Sequence, residues 1–154
     1  MTRTSSPCIP SLPETHPILL YDGVCGLCNR LVQFIIKRDR NGHFRFASLQ
    51  SEIASAVLKK HGRDPHDLDT VYVIVDYSQP SERLLARSDA ILFVLKKIGG
   101  FWRLAMAGRV LPRPLRDLIY NLVARNRYRV FGRYESCMLP DPQHRAKFLD
   151  QQSA

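Results

Sequence analysis

The sequence predicts an α/β protein, a mixed sheet flanked by helices, and three observations carry that expectation. Short apolar or alternating runs of strand character are separated by stretches of helical period. Glycine, proline or asparagine stands at most of the places where the period changes. The resulting order, β-α-β-α-β-β-α, alternates strands with helices and ends in a hairpin and a covering helix, the pattern of one sheet with helices packed against it.

Each element follows from its residues. Pro17-Ile18-Leu19-Leu20-Tyr21 is a short apolar run closed by Asp22-Gly23, a buried strand entering a turn. Leu27, Leu31, Phe34 and Ile35 then fall at helical spacing. Lys37, Arg38 and Arg40 suit the negative end of that helix, and Asn41-Gly42 stops it. His43-Phe44-Arg45-Phe46-Ala47 alternates as a strand, with both phenylalanines on one face. Ser51 is placed to cap a second helix carrying Ile53, Ala54, Val57 and Leu58, which His61-Gly62 ends. Residues 70–76 are β-branched and nearly continuous, so they predict a central strand. Ser78-Gln79-Pro80 turns the chain, and residues 83–87 return as an edge strand. Ser88 or Asp89 is expected to cap a third helix through Ile91, Leu92, Leu95 and Ile98, stopped by Gly99-Gly100. Beyond it, residues 101–107 suit a short helix, with Phe101 and Trp102 expected in the core. Leu115, Leu118, Ile119, Leu122 and Val123 mark a further amphipathic helix after Pro112 and Pro114.

The chain of 154 residues suits a single domain, expected over residues 17–150 behind a disordered tail at 1–16 that holds Pro7, Pro10 and Pro13. No apolar run approaches the ~20 residues of a spanning helix, and the tail lacks the apolar core of a secretory signal. A cytoplasmic location is the expectation, and there four cysteines need not form a disulfide framework. The formal net charge is +9, and Arg103, Arg109, Arg113, Arg116, Arg125, Arg127, Arg129 and Arg133 crowd an arginine-rich last third. Such a balance suits nucleic acid, an anionic membrane or an acidic partner, whereas a solvated arginine face explains it without any partner. A nucleic-acid partner is not expected.

Chemistry concentrates in Asp22-Gly23-Val24-Cys25-Gly26-Leu27-Cys28-Asn29. A thiolate, not a thiol, attacks a disulfide, and a helix N-terminus favours that anion through its free N–H groups and dipole. Cys25 at the first turn is therefore the candidate nucleophile. Cys28, three residues on, shares its helix face and can resolve a mixed disulfide on Cys25. Asp22 has two readings: a turn residue bonded to local backbone, or a carboxylate that moves a proton to or from Cys28. Gly23 serves the turn, and Gly26 is expected to keep the backbone between the sulfurs accessible. A lone C-x-x-C is also half of a zinc site, which Cys137 and His144 would have to complete at loose spacing. The strand–turn–helix context favours redox chemistry, with no metal and no cofactor.

Asp22-Gly-Val-Cys25-Gly-Leu-Cys28-Asn29, preceded by Ile18-Leu19-Leu20-Tyr21, resembles the D-x-x-C-x-x-C signature of the DCC family of predicted thiol–disulfide oxidoreductases. The resemblance continues through Phe44-Arg45-Phe46-Ala47-Ser48-Leu49-Gln50-Ser51, Arg87-Ser88-Asp89-Ala90, Asn126-Arg127-Tyr128-Arg129 and Phe131-Gly132. It implies a thioredoxin-like fold with an added basic helical C-terminal segment, and dithiol–disulfide exchange at Cys25 and Cys28. The substrate would be a protein or a low-molecular-weight thiol or disulfide, the reductant being unspecified. Thr70 stands where thioredoxins place a proline before the strand facing the active site, so substrate docking of the thioredoxin kind does not carry over.

The remaining candidates have plain explanations. Cys137 is either a regulatory thiol for Cys25 or an inert buried one. Cys8 falls in the expected tail, and the five histidines form no ligand spacing on one helix face. A different class of function stays open beside the enzyme: a non-catalytic thioredoxin-like module that binds an anionic partner through the arginine-rich third.

Overall fold

The computed structural model describes residues 16–134 and 142–149, so Cys8, Cys137 and nearly all of the expected tail lie outside the described residues. Four strands, β1 (Ile18–Tyr21), β2 (Arg45–Ser48), β3 (Tyr72–Val75) and β4 (Arg83–Ala86), form one mixed sheet in the order β2-β1-β3-β4. β1 runs parallel to β2 and antiparallel to β3, and β4 closes the edge as an antiparallel hairpin with β3. Helix α1 (Gly26–Arg38) makes the crossover from β1 to β2, α2 (Glu52–Lys60) leads toward β3, and α3 (Arg87–Ile98) follows β4. That is the thioredoxin-like arrangement expected.

Both faces of the sheet are covered, which is why β1 and β3 read as continuous apolar runs. Leu19 and Tyr21 of β1 and Val73 and Val75 of β3 pack on the side of α1 and α3. Ile18, Leu20, Tyr72 and Ile74 point to the other side, against Ala54, Val57 and Leu58 of α2. The register pairs Leu19 with Val73 and with Phe46, so one layer of large side chains crosses the sheet. Burying an aliphatic or aromatic side chain here contributes about 1.5–3 kcal/mol. Phe44 and Phe46 lie in the same core, and Phe148 stacks on Phe46 with ring centroids 5.3 Å apart.

Local signals place the helix ends. Ser51 Oγ accepts the Ala54 N–H as an N-cap (3.3 Å), and Gly99, at φ 76°, ends α3 in a conformation that disfavours a side chain. The cap expected at Ser88 or Asp89 is not made. Arg87 already belongs to α3 and Ala86 is its N-cap. Both side chains reach instead to the C-terminal helix, Ser88 Oγ to Asp117 (2.6 Å) and Asp89 to Arg113 and Arg116.

That C-terminal helix, α4 (Arg113–Phe131), follows 3₁₀ turns over Gly100–Val110. Trp102 packs edge-on against Phe34, its ring centroid 4.9 Å away, but Phe101 is 75% exposed rather than in the core. The amphipathic pattern of α4 is present and inverted. Leu115, Leu118, Ile119, Leu122 and Val123 are exposed, while Arg127 is buried. Tyr120, Asn121, Ala124 and Tyr128 share the inner side with it. No helix among the described residues is long and apolar enough to cross a membrane.

Candidate active site

The site forms where β1 ends and α1 begins. Asp22 makes the turn: its backbone carbonyl accepts the Cys25 N–H (3.2 Å) and its Oδ1 accepts the Val24 N–H (3.2 Å). Asn29, one turn into α1, fastens the same loop by donating to the Gly23 and Cys25 carbonyls (both 3.0 Å). Cys25 is thereby fixed as the N-cap residue of α1, and Cys28 sits in the first helical turn. Both are free thiols and both are buried.

The two sulfurs are unequal. Cys25 is lowered to about 6, above all because Cys28 Sγ–H donates to its thiolate. Burial opposes that shift, and the Cys28 and Leu27 N–H groups and the Arg127 charge reinforce it. Cys28 is pushed far up, because its proton is held by Cys25, its site is buried and the Cys25 charge stands beside it. The pair therefore loses one proton readily and keeps the other.

Arg127, one of the arginines of the basic last third, is not part of a solvated face but buried against Asp22. Its side chain is 2% exposed, and the two hydrogens of Nη2 are shared among four acceptors within hydrogen-bond distance: Asp22 (3.2 Å), Asp69 (3.0 Å), the Leu68 carbonyl (2.8 Å) and Tyr128 Oη (3.0 Å). Its Nε is buried with no hydrogen-bond partner among the described residues. Tyr128 Oη donates to Asp22 Oδ2, and burial followed by that bond pushes this phenol up to about 12, so it stays a donor. Gln50 Nε2 donates to Asp22 Oδ1 (2.8 Å), and Gln50 Oε1 accepts the Gly23 N–H (3.3 Å). Asp22 is thus a fully buried carboxylate between an arginine, a phenol and an amide. Spacing did not single out Gln50, Arg127 or Tyr128. The signal that held them was the family resemblance, which runs through Gln50 and through Asn126-Arg127-Tyr128-Arg129.

The chain beyond α4 covers the pair. The Gly26 N–H donates to the Gly132 carbonyl (3.2 Å), the Tyr134 N–H donates to the Val24 carbonyl (2.8 Å), and Cys25 bridges Arg133. A Cβ on Gly26 would overlap the Phe131 carbonyl oxygen. This glycine therefore allows close covering rather than the accessibility expected of it. On the opposite flank Cys28 lines an apolar cavity of about 230 Å³ with Leu27, Leu31, Ile91, Tyr120 and Val123. The loop before β3 is held from α4 as well, since Val71 N–H donates to Tyr120 Oη (2.8 Å). Thr70, the residue in the proline position, is buried and donates to Asp67 (3.1 Å).

Among the described residues no group of three or more His, Cys, Asp or Glu side chains is placed to hold a metal, and Cys137 of the zinc alternative lies outside them.

A family model of DCC1-like thiol-disulfide oxidoreductases matches residues 19–133, which include Asp22, Cys25, Cys28, Gln50, Arg127 and Tyr128. The uncharacterized protein YuxK of Bacillus subtilis is 43% identical over 132 residues, covering 86% of this chain and 93% of that protein. A chloroplastic DCC family protein of Arabidopsis thaliana is 40% identical over 127 residues, covering 82% of this chain and 71% of the relative. No solved structure matches the chain significantly. On the extent of the family match and the identity to both relatives, the chain belongs to the DCC1-like thiol-disulfide oxidoreductase family.

Proposed function

We propose that the chain exchanges its Cys25–Cys28 dithiol for the disulfide of a protein or a low-molecular-weight thiol compound. The observation that carries this reading is the asymmetry of the pair, a Cys25 thiol lowered to about 6 at a helix N-terminus beside a Cys28 thiol held protonated. Cys25 thiolate attacks one sulfur of the substrate, forming a mixed disulfide and releasing the other half as a thiolate. Cys28 then gives up its proton to a released thiolate and attacks Cys25 Sγ. The second substrate thiolate leaves and the Cys25–Cys28 disulfide remains, so two electrons pass from the dithiol to the substrate. A thiol reductant resets the pair, and a reducing compartment such as the cytoplasm would keep it ready.

Asp22 acts in this reading as a positioning residue rather than a proton carrier. Its oxygens already accept from Val24, Gln50, Tyr128 and Arg127, and it holds Arg127 where that charge favours the thiolate. Substrate access requires the segment at Gly132–Tyr134 to part from Val24–Gly26, because Cys25 is covered by it.

The decisive experiment combines alkylation of Cys25 across pH with reduction of insulin and of a glutathione mixed disulfide. Alkylation with a midpoint near pH 6, turnover abolished by Cys25→Ser, and a trapped mixed disulfide in Cys28→Ser are the expected results. A midpoint at the ordinary thiol value with no turnover would sink the enzyme reading. Full burial of Cys25 favours a second reading, a thioredoxin-like module with inert thiols that binds an anionic partner through its exposed arginines. That outcome supports it.

A further inference from the structure

Every large hydrophobic side chain exposed among the described residues lies between Phe101 and Tyr134, and none in the sheet or in α1–α3. The same stretch carries eight arginines against one acid, Asp117. Three of the arginines have carboxylate partners among the described residues: Arg127 in the site, Arg113 and Arg116 on Asp89. Arg103, Arg109, Arg125, Arg129 and Arg133 are exposed, and no carboxylate pairs with them among the described residues.

On α4 the two features share a face. Leu115, Leu118 and Leu122 recur at spacings of three and four, and the row of Leu118 and Leu122 continues into Arg125 and Arg129. Leu118 and Leu122 are each 64% exposed. An apolar stripe of this kind on a soluble surface marks a docking face, since scattered exposure would not gather on one segment. Charge selects the occupant. A second copy would bring the same unpaired arginines against themselves. A bilayer with anionic headgroups takes leucines into its interfacial layer and pairs phosphates with arginines whose stems lie along the apolar surface.

We propose that the outer face of α4, with the preceding 3₁₀ segment, seats this protein on an anionic lipid surface. The contact is peripheral and reversible: leucines supply partition and arginines supply selection for negative charge. Val123 belongs both to this exposed face and to the cavity that reaches Cys28, so the bound protein turns that flank of its thiol site toward the lipid. The inference rests on surface composition and does not depend on the thiol chemistry.

Flotation of the full chain with vesicles tests it, using phosphatidylcholine alone and phosphatidylcholine mixed with phosphatidylglycerol. Binding to the mixed vesicles, little binding to the neutral ones, and release by added salt are expected. Leu118→Ser and Leu122→Ser should each weaken partition about tenfold at constant salt. Arg125→Gln and Arg129→Gln should each weaken it about fivefold on the anionic vesicles. All four positions are exposed, so circular dichroism should show folded variants. Absence of binding to the mixed vesicles overturns the proposal. So does binding that survives the two leucine variants, which marks plain charge attraction. A stable dimer in light scattering that the leucine variants dissociate assigns the face to a second copy and overturns it too.

Discussion

Two regions of the molecule obey opposite packing rules. Through α3 the apolar residues point inward and the charged ones outward, apart from Asp22 and Asp39, and the sheet is held between two hydrophobic layers. In α4 the buried side carries Arg127 and Tyr128, and the leucines face out. The first region is held by the hydrophobic effect, which is non-directional and tolerant. The second is docked by a polar network on Asp22 and by Ser88 and Asp89, directional contacts that fix its register against the thiol pair. A helix docked in this way tunes chemistry as it packs, because the group that anchors it also places a positive charge near two sulfurs.

Two substitutions of similar cost should separate these rules. Phe46→Ala removes a fully buried ring and should destabilise the whole domain by about 3–5 kcal/mol. Arg127→Ala leaves Asp22 buried without its cation and should also cost roughly 3–5 kcal/mol. Hydrogen exchange distinguishes them. The phenylalanine variant should lose protection evenly across the sheet and helices, and the arginine variant first in α4. Uniform loss in both would refute the division into two regions.

The covering of Cys25 is the next point of stress. Gly26→Ala forces the Phe131 carbonyl away and should cost about 1–3 kcal/mol, with faster alkylation of Cys25 as the segment at Gly132–Tyr134 lifts. Tyr134→Pro removes one of the two backbone donors and should raise the alkylation rate without that steric penalty. A rate unchanged in both variants would mean that the segment does not control access.

The difference between the regions also explains what the sequence disclosed. Strands and helices through Ile98 were legible because period and burial agree there: Leu19 and Val73 are apolar, and both are inside. The turn and the thiol pair were legible because Asp22 and Cys28 lie close in sequence to Cys25, so their geometry is local. Arg127 was not, since it meets Asp22 across a sequence separation of 105 residues and an arginine in a basic run reads as solvated surface. The orientation of α4 is not legible in the sequence for a related reason. Periodicity reports that a helix has two faces, but which face is buried depends on what the rest of the fold offers it. Ser88 and Asp89 show this on a smaller scale: residues suited to a cap serve instead as anchors for α4.

The thiol pair links the two regions through pH. Between about pH 6 and the ordinary thiol value of 9.0, the native pair holds one proton and the unfolded pair holds two. Stability of the reduced protein should therefore rise with pH across that window and be lost as pH falls through 6. Above 9.0 the unfolded pair sheds both protons while Cys28 keeps its own, so the trend reverses. Thermal unfolding of the reduced chain against Cys25→Ser checks this, because the variant lacks the rising limb. Arg127→Gln should move the alkylation midpoint of Cys25 upward by removing the positive charge beside it.

The smallest effect is expected where ordinary packing rules predict a large one. A leucine in a helix with a clear apolar stripe would normally cost about 2–5 kcal/mol on truncation to alanine. Leu118 and Leu122 face solvent, so Leu118→Ala and Leu122→Ala should change stability in aqueous buffer by no more than about 0.5 kcal/mol. Chemical denaturation of each variant measures it directly. A loss comparable to that of Phe46→Ala would place the stripe inside a folded contact and remove the contrast between the regions. A near-zero change leaves the leucines with no part in folding, so their apolar character must be explained by what α4 meets outside the chain.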